Sequence, residues 1–132
     1  MGDLDTALGY SVSCDAFEVK LPNYWRQYAV VDDQAAKIYF YDKVSQNAGY
    51  PGFMFGFWIW TETDWSYTEL PGYRYLGTVT HPGGETFSLI VYYPTDVQFV
   101  WENAQLYNKM CAEEERIIAT LTAHNGWTFT PA

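Results

Sequence analysis

The feature that most constrains the fold is an uncharged run, residues 53–60, in which five of eight side chains are aromatic. In a β-strand, successive side chains point to opposite faces of the sheet. A sheet with one solvated face would alternate apolar and polar residues, and this run does not. The run therefore predicts a strand whose second face is covered by protein or binds a ligand. One predicted face carries Phe53, Phe55, Phe57 and Ile59, and the other carries Met54, Gly56, Trp58 and Trp60.

Composition indicates one globular domain that is rich in sheet. The chain has 132 residues, of which 48% are hydrophobic and 17% are charged, as in a folded domain rather than a disordered one. Aromatic residues make up 20% of the chain. Such side chains favour strands and interfaces, so we expect a sheet-rich fold.

The net charge of −9 argues against nucleic acid and anionic membranes as partners. The basic residues are scattered along the chain, whereas phosphate binding needs clusters of Lys and Arg. No stretch reaches the ~18 apolar residues that a membrane-spanning helix requires. The first residues lack the basic and apolar regions of a signal peptide. We therefore expect either a cytoplasmic protein or an extracytoplasmic cell-surface fragment, and the localisation stays open between them.

Alternating apolar and polar residues predict a series of short strands. Residues 16–21 alternate cleanly and end at Pro22, because proline cannot continue the pairing. Further strands are expected over 28–31, 36–42, 52–62, 73–80 and 85–93, with a glycine-containing hairpin turn at 81–84. Residues 1–15 are expected to form a loose or loosely helical arm. The tail after Gly126 is expected either to add an edge strand or to dock on the body.

A long helix is predicted late in the chain, over residues 102–122. Its apolar side chains gather in one stripe when they are placed at about 100° per residue. They are Ala104, Leu106, Tyr107, Met110, Cys111, Ile117, Ile118 and Leu121. Segregated strands and a late helix indicate the α+β class. We therefore predict a single domain over 16–132, with one antiparallel sheet of five to seven strands. The C-terminal helix should pack on the face that carries Phe53, Phe55, Phe57 and Ile59.

Glu114 is the most unusual single residue of the predicted helix. On a helical wheel it falls near the centre of the apolar stripe, whereas Glu113 and Glu115 fall on the solvated face. A buried carboxylate must find a partner, reach water or take up a proton. Glu114 is therefore either a structural carboxylate held by hydrogen bonds or a group that contacts a ligand or acts as a general acid.

Other residues with catalytic or metal-binding chemistry show no supporting pattern. His81 and His124 lack the nearby ligands that a zinc site needs, so no metal or cofactor is predicted. No serine lies in a nucleophile-elbow sequence. Cys14 and Cys111 match no metal or redox spacing, and we expect two buried free thiols, with a disulfide as the alternative. Two carboxylate pairs, at residues 32–33 and at Glu62 with Asp64, could serve glycoside cleavage, but acidic residues are common at turns.

The second aromatic face is the better functional lead. Tyr39 and Tyr41 fall on one side of their strand, and Trp58 and Trp60 fall on one side of theirs. Either Tyr92 or the next residue could join them. Tyr and Trp combine a flat apolar surface with a polar edge, which suits both sugar stacking and protein contacts. The alternative is that the arm, the tail or the loop around residue 65 covers this face as ordinary core.

The string Phe17-Glu18-Val19-Lys20-Leu21-Pro22-Asn23-Tyr24-Trp25 resembles the opening of small Leu-Pro-x-x-Trp domains of Gram-positive gut bacteria, often borne on lipoproteins. Residues 38–41, residues 52–55 and the pair Tyr107-x-x-Met110 fit the same order. The layout of residues 16–122 also looks loosely like the PsbP-type α+β fold. The resemblance implies this architecture and a bacterial source, and it implies no reaction.

We therefore predict a non-catalytic binding or protein-interaction module that uses an aromatic sheet face. Its candidate ligand-binding residues are Tyr39, Tyr41, Trp58, Trp60 and Glu114. The expected partner is a protein or a carbohydrate, with no nucleic acid, and the expected state is a monomer or weak homodimer. The alternative function is a small hydrolase that uses Glu114 or a loop carboxylate pair.

Overall fold

The computed structural model describes residues 3–60 and 72–132, and within them it shows an α+β fold with two antiparallel sheets. In chain order the elements are β1 (Leu8–Ser13), β2 (Phe17–Pro22), α1 (Trp25–Tyr28), β3 (Ala29–Asp33), β4 (Lys37–Asp42), α2 (Lys43–Asn47), β5 (Phe53–Trp60), β6 (Tyr73–Thr80), β7 (Thr86–Tyr92), α3 (Ala104–Cys111), α4 (Glu114–Ile118), β8 (Thr122–Ala123) and β9 (Thr128–Pro131).

The prediction of a single sheet is wrong, because the strands divide into a sheet of three and a sheet of six. The small sheet has the order β1-β2-β8, and the large sheet has the order β3-β4-β5-β7-β6-β9. Alternation along a strand predicts which residues share a face, but it does not say which strands are neighbours. The C-terminal tail does form an edge strand, since β9 pairs with β6.

The predicted loose or helical arm is also wrong over residues 8–13, which form β1 and pair with β2. Strands β1 and β2 form a hairpin whose buried side chains face the large sheet. Phe17 of β2 meets Phe57 edge-on with ring centroids 5.6 Å apart. Trp25 of α1 lies against Phe40 and Phe55 at 5.4 Å and 6.1 Å. The side of the large sheet that carries Phe40, Phe55 and Phe57 is called here the inner face. The N-terminal segment and the C-terminal helices together cover this face.

The inner face differs at one residue from the predicted set, because Phe53 lies on the opposite side, called here the outer face. Tyr41 pairs with Phe53 while Phe40 pairs with Phe55, so Met54 is an extra residue in β5. Such a bulge places two residues against one and shifts the alternation. Phe55, Phe57 and Ile59 remain in the core, and Met54 is buried with them.

The predicted helix over 102–122 is broken. A 3₁₀ turn at Trp101–Asn103 leads into α3, which ends at Cys111, and α4 covers only Glu114–Ile118. Glu113, predicted to lie on the solvated face, is instead buried with 8% exposure. It follows Met110 by three residues and precedes Ile117 by four, so it lies on the same side as these two buried residues. It accepts a hydrogen bond from Tyr24 Oη at 3.1 Å and pairs with Arg116 at 2.8 Å.

A buried carboxylate joins the end of β4 to the segment before α3. Asp42 is fully buried, and its oxygens accept hydrogen bonds from Val44 N at 3.2 Å, which caps α2, and from Ser45 Oγ at 2.6 Å. Nδ2 of Asn103 donates to both carboxylate oxygens at 2.8 Å. Ser45 Oγ also accepts from Val100 N at 3.0 Å. Buried carboxylates with this many donors hold neighbouring elements in one arrangement.

Both cysteines are free thiols. Burial raises the pKa of Cys14, and it raises the pKa of Cys111 to about 11, so neither is an activated nucleophile. Across residues 3–60 and 72–132, no helix has the length and apolar character needed to cross a membrane.

Candidate functional site

The outer face of the large sheet carries a continuous cluster of aromatic rings. Its seven members are Tyr39, Tyr41, Phe53, Trp58, Trp60, Tyr73 and Tyr92. The face exists because β4 and β5 each place aromatic residues at alternate positions, and the bulge at Met54 adds Phe53 to them. The next two strands, β7 and β6, add Tyr92 and Tyr73. Six of the seven side chains are half-buried, and Phe53 is buried.

Tyr92 occupies the centre of this cluster. Its ring centroid lies 5.5 Å from that of Phe53, 5.1 Å from that of Tyr73 and 6.2 Å from that of Tyr39. Trp58 meets it edge-on at 6.5 Å. Offset and edge-on ring pairs contribute about 0.5–1.5 kcal/mol each beyond the burial of their area. The cluster is therefore held together by its own contacts.

A glycine makes room for the central pair of rings. Gly56 lies between Tyr39 and Tyr92 in the sheet register, and the two rings stack with an angle of 24°. A Cβ added at Gly56 would run into the Tyr39 ring, 2.8 Å from its Cε1 and 2.9 Å from the carbonyl oxygen of Ile38. Gly56 thus lets the Tyr39 ring lie against the strand, which is a known use of glycine in sheets.

The indoles of Trp58 and Trp60 form a second part of the outer face. Trp58 and Trp60 contact each other edge-on at 5.1 Å, and Trp60 meets Tyr73 at 5.7 Å. Both indoles keep part of their surface exposed. The tyrosines and the two tryptophans of the outer face therefore present flat aromatic surface to solvent.

Charged groups of both signs lie at the β3–β4 side of the face. The Nζ atom of Lys37 lies 5.2 Å from the centroid of Tyr39 and 5.7 Å from that of Trp58, within the range of a cation–π contact. Asp32 of β3 is the register partner of Tyr39, so it lies on the same face. A donor and an acceptor therefore flank the rings at this edge.

Three tyrosine hydroxyls of this face, those of Tyr39, Tyr41 and Tyr73, have raised pKa values and remain protonated across the physiological range. Burial, followed by the neighbouring tyrosines, raises the pKa of Tyr39 to about 12. Burial also raises the pKa of Tyr41 and Tyr73. These groups therefore act as neutral hydroxyls that can both donate and accept hydrogen bonds.

Four of the five predicted site residues share the outer face, and Glu114 does not. Tyr39, Tyr41, Trp58 and Trp60 are brought together as their alternation predicts. Glu114 pairs with Arg74 and accepts a hydrogen bond from Tyr93, the residue after the outer-face Tyr92. Tyr93 packs against the core, so Glu114 lies toward the inner side of the sheet.

The Glu114 carboxylate is held by an ion pair with Arg74 and a hydrogen bond from Tyr93. Its side chain is 17% exposed, and Arg74 also pairs with the solvent-exposed Glu115. Burial raises the pKa of Glu114, although Tyr93 and Arg74 act in the opposite direction. Burial and the Glu114 hydrogen bond raise the pKa of Tyr93.

The remaining predicted catalytic groups do not converge. Asp33 pairs with Ile38 in the register and is exposed, so it lies on the other face from its neighbour Asp32. Glu62 and Asp64 lie outside the described residues. His81 is in an exposed turn, where its Nδ1 accepts from Gly83 N at 2.9 Å. Among residues 3–60 and 72–132, no three histidine, cysteine or carboxylate side chains are grouped as for a metal ion.

Sequence reasoning missed three residues of the outer face: Lys37, Phe53 and Tyr73. Lys37 and Phe53 belong to it only because β4 and β5 are neighbours with a bulge. Tyr73 begins its own strand, and its alternation gave no indication of proximity to Trp60. Gly56 was placed on this face by alternation, but the sequence did not show that it makes room for the Tyr39 ring.

Comparisons with protein-family models, with curated proteins and with solved structures find no match to this chain. The resemblance to Leu-Pro-x-x-Trp domains and to the PsbP-type layout therefore stays a prediction.

Proposed function

We propose that this protein is a non-catalytic binding module whose ligand lies on the outer face of the large sheet. The observation that carries the proposal is the cluster of seven mutually contacting rings with partly exposed indoles. Aromatic side chains on a rigid sheet offer flat contact area that loses little conformational entropy on binding.

A carbohydrate is the ligand class that we favour. Sugars present apolar C–H surfaces that stack on aromatic rings, together with hydroxyl groups that need both donors and acceptors. The outer face supplies rings, neutral tyrosine hydroxyls, the Lys37 ammonium and the Asp32 carboxylate in one place. A protein partner is the second possibility, since Trp and Tyr are also enriched where proteins bind.

The test is an array of oligosaccharides and peptides probed with the wild-type protein and with Trp58→Ala. Removing an aromatic anchor should weaken binding by roughly tenfold to thirtyfold. The matched control is Trp101→Ala, which removes a tryptophan that is 81% exposed and belongs to another part of the surface. It should leave affinity unchanged.

The outcomes separate ligand binding from ordinary covering of a sheet. Truncating a buried core aromatic costs about 3–5 kcal/mol, so a loss of that size in Trp58→Ala without any array binding would refute the proposal. Binding of peptides alone, lost in Trp58→Ala, would establish a protein-interaction module in place of a sugar-binding one. The alternative hydrolase would require substrate turnover that Glu114→Gln abolishes, and no contact of Glu114 favours it.

A further inference from the structure

A second site lies on the inner side of the large sheet, away from the outer face. It is a pocket of about 190 Å³ lined by Asp15, Ala35, Ala36, Ile59, Phe87 and Trp127. Its lining comes from the β1–β2 turn, the β3–β4 turn, two central strands and the residue before β9. The pocket therefore opens where the two sheets meet.

Main-chain hydrogen bonds fix the frame of this pocket. Asp15 N donates to Ala35 O at 3.3 Å, and Ile59 N donates to Ala36 O at 2.9 Å. Nδ2 of Asn125 donates to the carbonyl oxygen of Asp15 at 3.2 Å. Four separate parts of the chain, at residues 15, 35–36, 59 and 125, are thus tied together around the opening. A site built this way needs little rearrangement when a ligand enters.

The walls are apolar and include two aromatic rings in contact. The ring centroid of Trp127 lies 5.8 Å from that of Phe87, and Trp127 also meets His81 edge-on at 4.9 Å. Ile59 is buried with 8% exposure. These neighbours hold the Trp127 indole in position, so it presents a fixed surface to a ligand.

One carboxylate, the exposed side chain of Asp15, lines this apolar pocket. Among residues 3–60 and 72–132, the Asp15 side chain has no ion pair and no hydrogen bond. Lys37 follows the lining residue Ala36, but its ammonium lies over the outer-face rings of Tyr39 and Trp58. Lys20, the basic residue nearest to Asp15 in sequence, pairs with Glu18 at 3.8 Å. Both lysines are therefore engaged away from Asp15.

We propose that this pocket binds a small monoamine, with an apolar or aromatic body against Trp127 and Phe87 and its ammonium at Asp15. The volume equals that of roughly six liquid waters, which suits one ring with a short alkylamine tail. An ammonium beside a carboxylate and an aromatic surface is stabilised by both charge and cation–π attraction. The net charge of −9 also favours the approach of cations over anions.

The test compares three probes by the NMR signal of the Trp127 indole N–H. Phenethylamine carries the ring and the charge, and 2-phenylethanol is its neutral analogue. Nα-acetyl-lysine amide keeps a free side-chain ammonium and so presents the amine as a protein side chain would. Phenethylamine should shift the signal saturably and bind about fivefold more tightly than the alcohol, the size expected for a solvent-accessible ion pair. A stronger response to the lysine amide would instead identify a peptide-borne lysine as the source of the amine.

The matched pair of variants is Asp15→Asn and Asp33→Asn. Asp15→Asn should make the amine and the alcohol bind within about twofold of each other, whereas Asp33→Asn changes an exposed carboxylate outside the pocket lining and should keep the preference. An unchanged spectrum away from the pocket would show that each variant is folded. Equal affinities in the wild type, no saturable shift, or a preference that survives Asp15→Asn would overturn the proposal.

Discussion

Substitution of Gly56 tests whether the aromatic face is built as described. In Gly56→Ala the new methyl group would overlap the Tyr39 ring, so that ring must move away from Phe53 and Tyr92. Weakening two ring pairs costs about 1–3 kcal/mol. Replacing glycine by alanine returns about 0.4–1 kcal/mol through the unfolded chain. The free energy of unfolding should therefore fall by about 1–2 kcal/mol.

The assay is urea-induced unfolding followed by circular dichroism, in a double-mutant cycle with Tyr39→Ala. Removing the Tyr39 ring should relieve most of the effect, and the contact with the Ile38 carbonyl oxygen should account for the remainder. We expect a coupling energy of about 1 kcal/mol. The control is Gly56→Ala with Tyr41→Ala, since Tyr41 is on the same face but is not among the atoms nearest to the added methyl group.

Two results would refute this reasoning. The first is a Gly56→Ala protein as stable as the wild type, which would mean that the Tyr39 ring is not held against the strand. The second is a loss of equal size in the Tyr39→Ala background, which would assign the cost to the backbone alone. Additive effects with Tyr41→Ala within about 0.5 kcal/mol would support the specificity of the contact.

Three further predictions concern buried polar groups. Asp42→Asn should lower the free energy of unfolding by about 2–4 kcal/mol, because the new amide group would face the Asn103 donor. The control in the same denaturation assay is Asp33→Asn, which changes an exposed carboxylate. Equal losses of stability in the two variants would contradict the prediction. Because the pKa of Glu114 is raised in the folded protein, this residue contributes stability that is fully present below the pKa of the unfolded state. That contribution is lost as the pH rises through the pKa of the folded state. The stability of the wild type relative to Glu114→Gln should therefore decline as the pH rises above about 4.3, the ordinary pKa of a glutamate, and a rising difference would disprove it. With its pKa raised to about 11, Cys111 should be alkylated by iodoacetamide at pH 8 far more slowly in the folded than in the unfolded protein, as measured by mass spectrometry of its peptide; equal rates would show that the thiol is not protected.

Among the acidic residues of the C-terminal helices, the environment of Glu113 is the one that was predicted wrongly. The sequence prediction placed Glu113 on the solvated face and Glu114 near the centre of the apolar stripe. In the structure Glu113 is buried and contacts Tyr24 and Arg116. Tyr24 is far away in sequence, so no local pattern around the helix could indicate this partner.

The sequence by itself determined the α+β class, the positions of the main strands and the alternation of Tyr39, Tyr41, Trp58 and Trp60. These follow from local chemistry, since a strand must place alternate residues on opposite faces. The division into two sheets, the position of Phe53 and the contact between Trp60 and Tyr73 were decided only by the tertiary structure. Strand neighbours, bulges and helix breaks are chosen by packing between distant segments, and a periodic pattern within one segment contains no information about them.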